Sequence, residues 1–168
     1  MFFGKFSLMT DSLSRIELHG TPIEFVSSCK YLGFYIRSGT HFKFSVHEDL
    51  CAFFGSANSI LNCVSKPREQ VQLQLLYSNC VPRLTYGASV KDLTAAEKQK
   101  LNVAINNAVR RIFGFRRWQS IRDLREFYHF DSIEIMYAKA KRRFEASIAN
   151  HDNHVLRFLS TFTLQISI

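Results

Sequence analysis

Thr94-Ala95-Ala96-Glu97, followed by Leu101, Ala104, Ile105, Ala108 and Ile112 and closed by Gly114, is the stretch whose reading decides the fold. A threonine with a glutamate three residues on is a capping box: each side chain satisfies a backbone N–H that the first helical turn leaves without a partner. The apolar residues then recur at three and four, which places them on one helix face. Helical spacing extends in both directions. Upstream, Leu50, Phe53, Phe54, Ala57, Leu61 and Val64 predict one amphipathic helix over 44–65. Val71, Leu75, Leu76 and Cys80 predict a second helix, with Pro67 suited to its first turn and Pro82 near its end. Downstream, Ser120 opens a short helix over Ile121, Leu124 and Phe127. Asp131-Ser132-Ile133-Glu134 starts another, running through Met136, Ala140, Phe144 and Ile148.

Residues 15–36 read differently. Ile16 and Leu18 alternate, His19-Gly20-Thr21-Pro22 turns the chain, and Ile23, Phe25 and Val26 resume. Tyr31 to Ile36 is rich in β-formers, so the segment predicts a hairpin plus one more strand. The expected fold class is α+β, mainly α: short antiparallel strands followed by a helical bundle. The expected divisions are a β segment over 1–40, a helical domain over 41–150 and a tail over 151–168.

The chain has 168 residues, of which 46% are hydrophobic and 16 are Phe, enough for a core. Its net charge is +8, which favours a polyanionic partner. Cys29, Cys51, Cys63 and Cys80 show no metal-binding or paired spacing and read as reduced, buried thiols of an intracellular protein, cytoplasmic or nuclear. No apolar run approaches the length of a membrane span, and Met1-Phe2-Phe3-Gly4-Lys5 does not read as a signal peptide.

Three segments in order carry a resemblance: Ser28-Cys29-Lys30-Tyr31-Leu32-Gly33-Phe34-Tyr35-Ile36, Val81-Pro82-Arg83-Leu84-Thr85-Tyr86-Gly87, and Asn106-Asn107-Ala108-Val109-Arg110-Arg111-Ile112-Phe113-Gly114. Their order resembles the C-terminal part of the reverse transcriptase of LINE-type (non-LTR, jockey-like) retrotransposons. Lys5-Phe6-Ser7-Leu8-Met9 resembles the lysine-containing segment after that family's catalytic hairpin. The resemblance implies a palm edge over 1–40 and a thumb over 41–150. It implies that Tyr31, Leu32 and Gly33 contact a primer terminus, and that Tyr86 packs in a turn between thumb helices. It also implies an RNA or DNA template–primer as partner and a divalent metal such as magnesium for the intact enzyme. The family's paired metal-binding aspartates lie upstream of these motifs, and this chain has no adjacent aspartate pair. No cofactor and no polymerisation are therefore expected of the chain alone, and a sheet without its palm partners is expected to leave an edge open to self-association. The family commonly places a tryptophan after the Tyr86-Gly87 pair, where this chain has Ala88-Ser89-Val90-Lys91.

The residues themselves point to nucleic acid most directly in the basic stretch 110–143. It holds ten Lys and Arg against four acids, with Phe115, Trp118 and Tyr128 interleaved. Arginines that meet phosphates, with aromatics that stack on bases, are what single-strand or hybrid binding uses. The candidate contacts are Arg110, Arg111, Arg116, Arg117, Trp118, Lys141, Arg142 and Arg143. The alternatives are a solvated helix face and, for Trp118, a place in the core. His151 and His154 have no third ligand at fixed spacing and read as a polar tail. Two further readings stay open: a stand-alone helical module that binds nucleic acid, and a translated remnant without a biochemical role.

Overall fold

The computed structural model describes residues 16–24, 26–37, 43–63 and 67–156. The readings of Lys5–Met9, Phe25, Val64 and the end of the tail lie outside them. The backbone divides into two compact units, Met1–Cys51 and Ala52–Ile168. Short antiparallel strands precede a helical region, the α+β, mainly α class expected.

The first unit holds two small sheets. Strand β1 (Ile16–Leu18) pairs with β2 (Thr21–Ile23), with Leu18 opposite Thr21. Strand β3 (Ser28–Tyr31) pairs with β4 (Phe34–Arg37), and β4 with β5 (Lys43–Phe44). Both hairpins have two-residue loops with positive φ at each position: 50° and 79° at His19-Gly20, 47° and 83° at Leu32-Gly33. That is the type I′ turn, whose twist matches that of the flanking strands. It corrects two readings. Thr21 and Pro22 already belong to a strand, and Tyr31–Ile36 is not one strand but the bend of a hairpin. Gly33, at φ 83°, provides left-handed backbone at that bend, a conformation that side-chain-bearing residues adopt only with strain. Phe44 belongs to β5, with its ring edge-on to Phe34, rather than to the helix that follows.

Helix α1 (His47–Leu61) buries Phe53 and Ala57, whereas Phe54 remains exposed, so the expected stripe is narrower than its sequence suggests. Helix α2 (Glu69–Leu75) begins after Pro67 rather than on it, and the Pro67 carbonyl accepts from Gln72 Nε2 at 2.8 Å. Pro82 does not end the second helix. The chain stays helical through a π stretch (Leu76–Cys80) into α3 (Val81–Thr85), and Val81 N–H reaches back five residues to the Leu76 carbonyl. Proline is excluded from an α-helix interior by its missing N–H and by its clash with the carbonyl four residues earlier. The π turn ends at Cys80, so Pro82 falls in the first turn of α3, where its missing N–H is tolerated.

Helix α4 (Ala95–Ile112) is the core element of the second unit. Its capping box is present, with Thr94 N–H donating to Glu97 Oε2 at 2.8 Å and Glu97 N–H to Thr94 Oγ1 at 3.3 Å. Leu101, Ala104, Ile105, Ala108 and Ile112 are buried as expected. Helix α5 (Arg122–Phe127) and helix α6 (Ile133–Ala149) follow. Phe127 is 75% exposed, not core. On α6 the buried residues are Ile133 and Tyr137 rather than the Met136–Phe144 stripe, because the helix meets α3 and α4 through its first half. The Tyr137 hydroxyl donates to the Leu84 carbonyl at 2.8 Å. Tyr86, expected in the core, is 54% exposed. All four cysteines are free thiols, but only Cys80 is buried, and burial pushes its thiol up.

Helix α5 ends in a Schellman motif with a histidine in the glycine position. Phe130 N–H donates to the Arg125 carbonyl and His129 N–H to that of Glu126, with His129 at φ 54°. A side chain in left-handed backbone costs roughly 1–2 kcal/mol, partly offset in glycine by its larger loss of freedom on folding. His129→Gly is therefore expected to raise stability by about 0.5–1 kcal/mol, read from thermal unfolding. A lower melting temperature would mean that the imidazole makes contacts worth more than the strain.

Candidate nucleic-acid interface

Between the end of α4 and the start of α5 the chain carries Arg110, Arg111, Arg116, Arg117 and Arg122 with no acid among residues 110–122. Gly114, at φ 66°, ends α4, and Phe115 N–H closes the cap on the Arg110 carbonyl at 2.8 Å. The chain then makes a tight turn over Arg116–Gln119, closed by Gln119 N–H on the Arg116 carbonyl at 3.0 Å. Arg117 and Trp118 occupy the two central positions of that turn.

Trp118 is 76% exposed. The Arg116 guanidinium lies 5.4 Å from its ring, a cation–π contact that covers one face. The core alternative for Trp118 is thereby corrected: it occupies an exposed central position of the turn. From Phe115, the residue before the turn, a series of rings runs into the fold. Phe115 packs on Phe113, Phe113 on Tyr128, and Tyr128 on Phe130, which stacks face to face on Tyr77 at 3.7 Å. Such pairs add a directional contribution to simple area burial. Burial pushes the Tyr77 hydroxyl up to about 12, against the opposing charge of Arg125. The Tyr77 hydroxyl and the Nε and Nη2 of Arg125 are buried without a hydrogen bond of good geometry.

The structure divides the remaining candidates. Arg110 is committed within the fold: its Nε donates to the Gln119 carbonyl at 3.0 Å and its Nη1 to Asn107 Oδ1 at 3.2 Å. Arg111 donates to Asn58 Oδ1 on α1 at 2.8 Å. Arg116 and Arg117 are exposed at the turn, and Arg122 pairs with Glu126 at 3.1 Å. Lys141, Arg142 and Arg143 are exposed on α6, but not beside the turn. Asn102 of α4 bonds Ile133 and Glu134, and Lys98 lines one groove with Tyr137 and Lys141, so α4 and α6 run antiparallel. At about 1.5 Å per residue, Lys141 lies on the order of 25 Å along the helices from the end of α4. The basic stretch that is contiguous in sequence is thus two separate patches.

Tyr31, Leu32 and Gly33 sit at the tip of the β3–β4 hairpin, with Tyr31 61% and Leu32 70% exposed. All four residues of β3, an edge strand, are exposed. Gln119 and Asn102 were not singled out by the sequence. Both act through long-range or turn-closing hydrogen bonds for which a single glutamine or asparagine gives no pattern.

Among the described residues no three His, Cys, Asp or Glu side chains converge as a metal-binding group, and no helix is long and apolar enough to cross a membrane. The metal that the resemblance implies for the intact enzyme therefore has no ligand set among the described residues. No protein-family model matches the chain, and comparisons with curated proteins and with solved structures give no match either.

Proposed function

We propose that this chain binds single-stranded or hybrid nucleic acid through the Arg116–Gln119 turn, as the palm-edge and thumb portion of a LINE-type RNA-directed DNA polymerase. The observation that supports the binding reading is an exposed tryptophan, backed on one face by Arg116, at the centre of a turn that also carries Arg117. An exposed indole with adjacent arginines serves an unpaired base and its phosphates, since every base offers a π-face. A paired duplex, hybrids included, hides those faces, so the turn is suited to an unpaired strand, free or at the end of a hybrid, over fully paired duplex. The resemblance separately implies a primer contact for Tyr31, Leu32 and Gly33, and the hairpin tip they form is exposed. The same turn also serves a stand-alone binding module. DNA upstream of the Met1 codon separates the two, because an open or broken frame encoding a paired-aspartate palm supports the polymerase portion.

Trp118 is the sole tryptophan, so fluorescence excited selectively at the long-wavelength edge of indole absorption, where the six tyrosines do not absorb, reports on this turn alone. Titration with a short oligothymidine is expected to quench that emission, with weaker quenching by a duplex of equal length. Emission unchanged by single strands at low salt would overturn the binding reading.

A further inference from the structure

The turn is held in shape before any ligand arrives. The Arg116–Gln119 backbone bond is doubled by a second contact, in which Arg116 N–H donates to Gln119 Oε1. The Gln119 carbonyl is then bound by Arg110 Nε, and Arg110 is itself braced by Asn107. Arg117 and Trp118 have no positive φ, so the turn is of a kind that ordinary residues adopt without strain. A loop fixed in this way loses less freedom on binding than a mobile one, and such preorganisation raises affinity.

We propose that Arg110 and Gln119 are positioning residues that hold Arg116, Arg117 and Trp118 in a preformed turn for one unpaired nucleotide, and that Arg110 contacts no phosphate. The inference rests on the binding reading above. It divides two arginines that look equivalent in sequence. Arg117 lies at the apex of the turn, exposed to a ligand's phosphate, whereas Arg110 is half-buried, with its Nε and one Nη1 donor held by Gln119 and Asn107 and its guanidinium thereby turned to the protein. A guanidinium that shapes the turn affects affinity without releasing counterions, whereas one that meets a phosphate changes the salt dependence.

The test compares Arg110→Gln, Gln119→Ala and Arg117→Gln in the full chain, with a short oligothymidine as probe. Affinity is measured across a salt series, and the anisotropy of Trp118 fluorescence is measured in each free protein. Arg117→Gln is expected to lower the salt slope by about 0.7, the share of one single-strand phosphate, with anisotropy unchanged. Arg110→Gln and Gln119→Ala are each expected to weaken binding roughly tenfold, with the slope unchanged and the anisotropy lowered as the indole gains mobility. Gln119→Glu keeps an acceptor for the Arg116 N–H and is expected to restore the anisotropy. Gln119 is exposed, so its replacement keeps the proposal testable if Arg110→Gln disturbs the end of α4. An Arg110→Gln slope that falls as far as that of Arg117→Gln, with anisotropy unchanged, would make Arg110 a phosphate contact and overturn the proposal while leaving the binding reading intact. Full affinity in Gln119→Ala would overturn it equally. Absence of binding by the unaltered chain would remove the binding reading and the proposal with it.

Discussion

Asn102→Ala is expected to lower the unfolding free energy by about 2–3 kcal/mol, although the residue touches no candidate ligand site. Asn102 is only 6% exposed, and both ends of its carboxamide are used at the start of α6. Its Oδ1 accepts from Ile133 N–H at 3.0 Å, and its Nδ2 donates to Glu134 Oε1 at 2.6 Å. Alanine leaves a buried helix-start N–H without an acceptor, which costs about 1–3 kcal/mol by itself. It also takes a charge-assisted bond from Glu134, although that exposed carboxylate recovers water. The pH dependence provides a second reading. Burial opposes ionisation of Glu134, but the Asn102 amide, the Ser132 hydroxyl, its own N–H and the Arg125 charge outweigh it and hold the carboxyl below 4.5. A carboxyl lowered in the folded state stabilises above its unfolded pKa, and that stability is lost as pH falls through the folded value. Asn102→Ala should therefore flatten this acid loss as well as lower stability at neutral pH. Asn102→Asp keeps the acceptor but sets a second carboxylate beside Glu134, so its deficit should shrink on acidification as one of the pair protonates. Unfolding curves at neutral and acid pH measure all three proteins. A neutral-pH loss below 1 kcal/mol in Asn102→Ala would mean that water replaces the carboxamide without penalty.

Local signals were legible in the sequence and tertiary ones were not. The Thr94–Glu97 box and the Gly114 stop are written within a few residues of each helix end, so α4 was readable from both termini. The Leu32-Gly33 bend was not, because a type I′ loop is usually signalled by asparagine or aspartate before the glycine, and leucine there reads as strand. Pro82 was read as a stop because the rule that proline ends a helix assumes an α-helical turn before it. The π stretch over Leu76–Cys80 changes that premise and has no sequence mark of its own. On α6, Met136, Ala140, Phe144 and Ile148 and the pair Ile133 and Tyr137 both have helical spacing. Only the partner helices decide between them, and these reach the first half of α6 alone.

The candidate interface shows the same division. That Arg116, Arg117 and Trp118 lie in a loop followed from the flanking helix signals, and the structure places them there, on a turn with Trp118 exposed. Counting charge over residues 110–143 gave one basic surface, because a linear count cannot see that α4 and α6 run antiparallel and carry its two ends apart. The role of Arg110 depends on a bond to a residue nine positions away, which no composition window contains.

Trp118→Ala is expected to weaken single-strand binding by about 1–3 kcal/mol, the contribution of one base stacked on an aromatic side chain. That is on the order of 5- to 150-fold in Kd. The effect should leave the salt slope unchanged, because removing an indole releases no counterions. Replacing Arg116 and Arg117 together should do the reverse, lowering the slope by roughly one to two units. Stability gives the independent check. A core tryptophan costs about 3–5 kcal/mol when cut to alanine. This one is 76% exposed and loses mainly its contact with Arg116, so the cost should stay within about 1 kcal/mol. Affinity, salt slope and melting temperature therefore separate stacking, phosphate contact and folding in one set of variants. Trp118→Ala with full affinity, beside a double arginine variant with an unchanged slope, would leave the turn an exposed surface with no nucleic-acid role. A large fall in Tm for Trp118→Ala would place the indole inside the fold and make any loss of binding a consequence of unfolding.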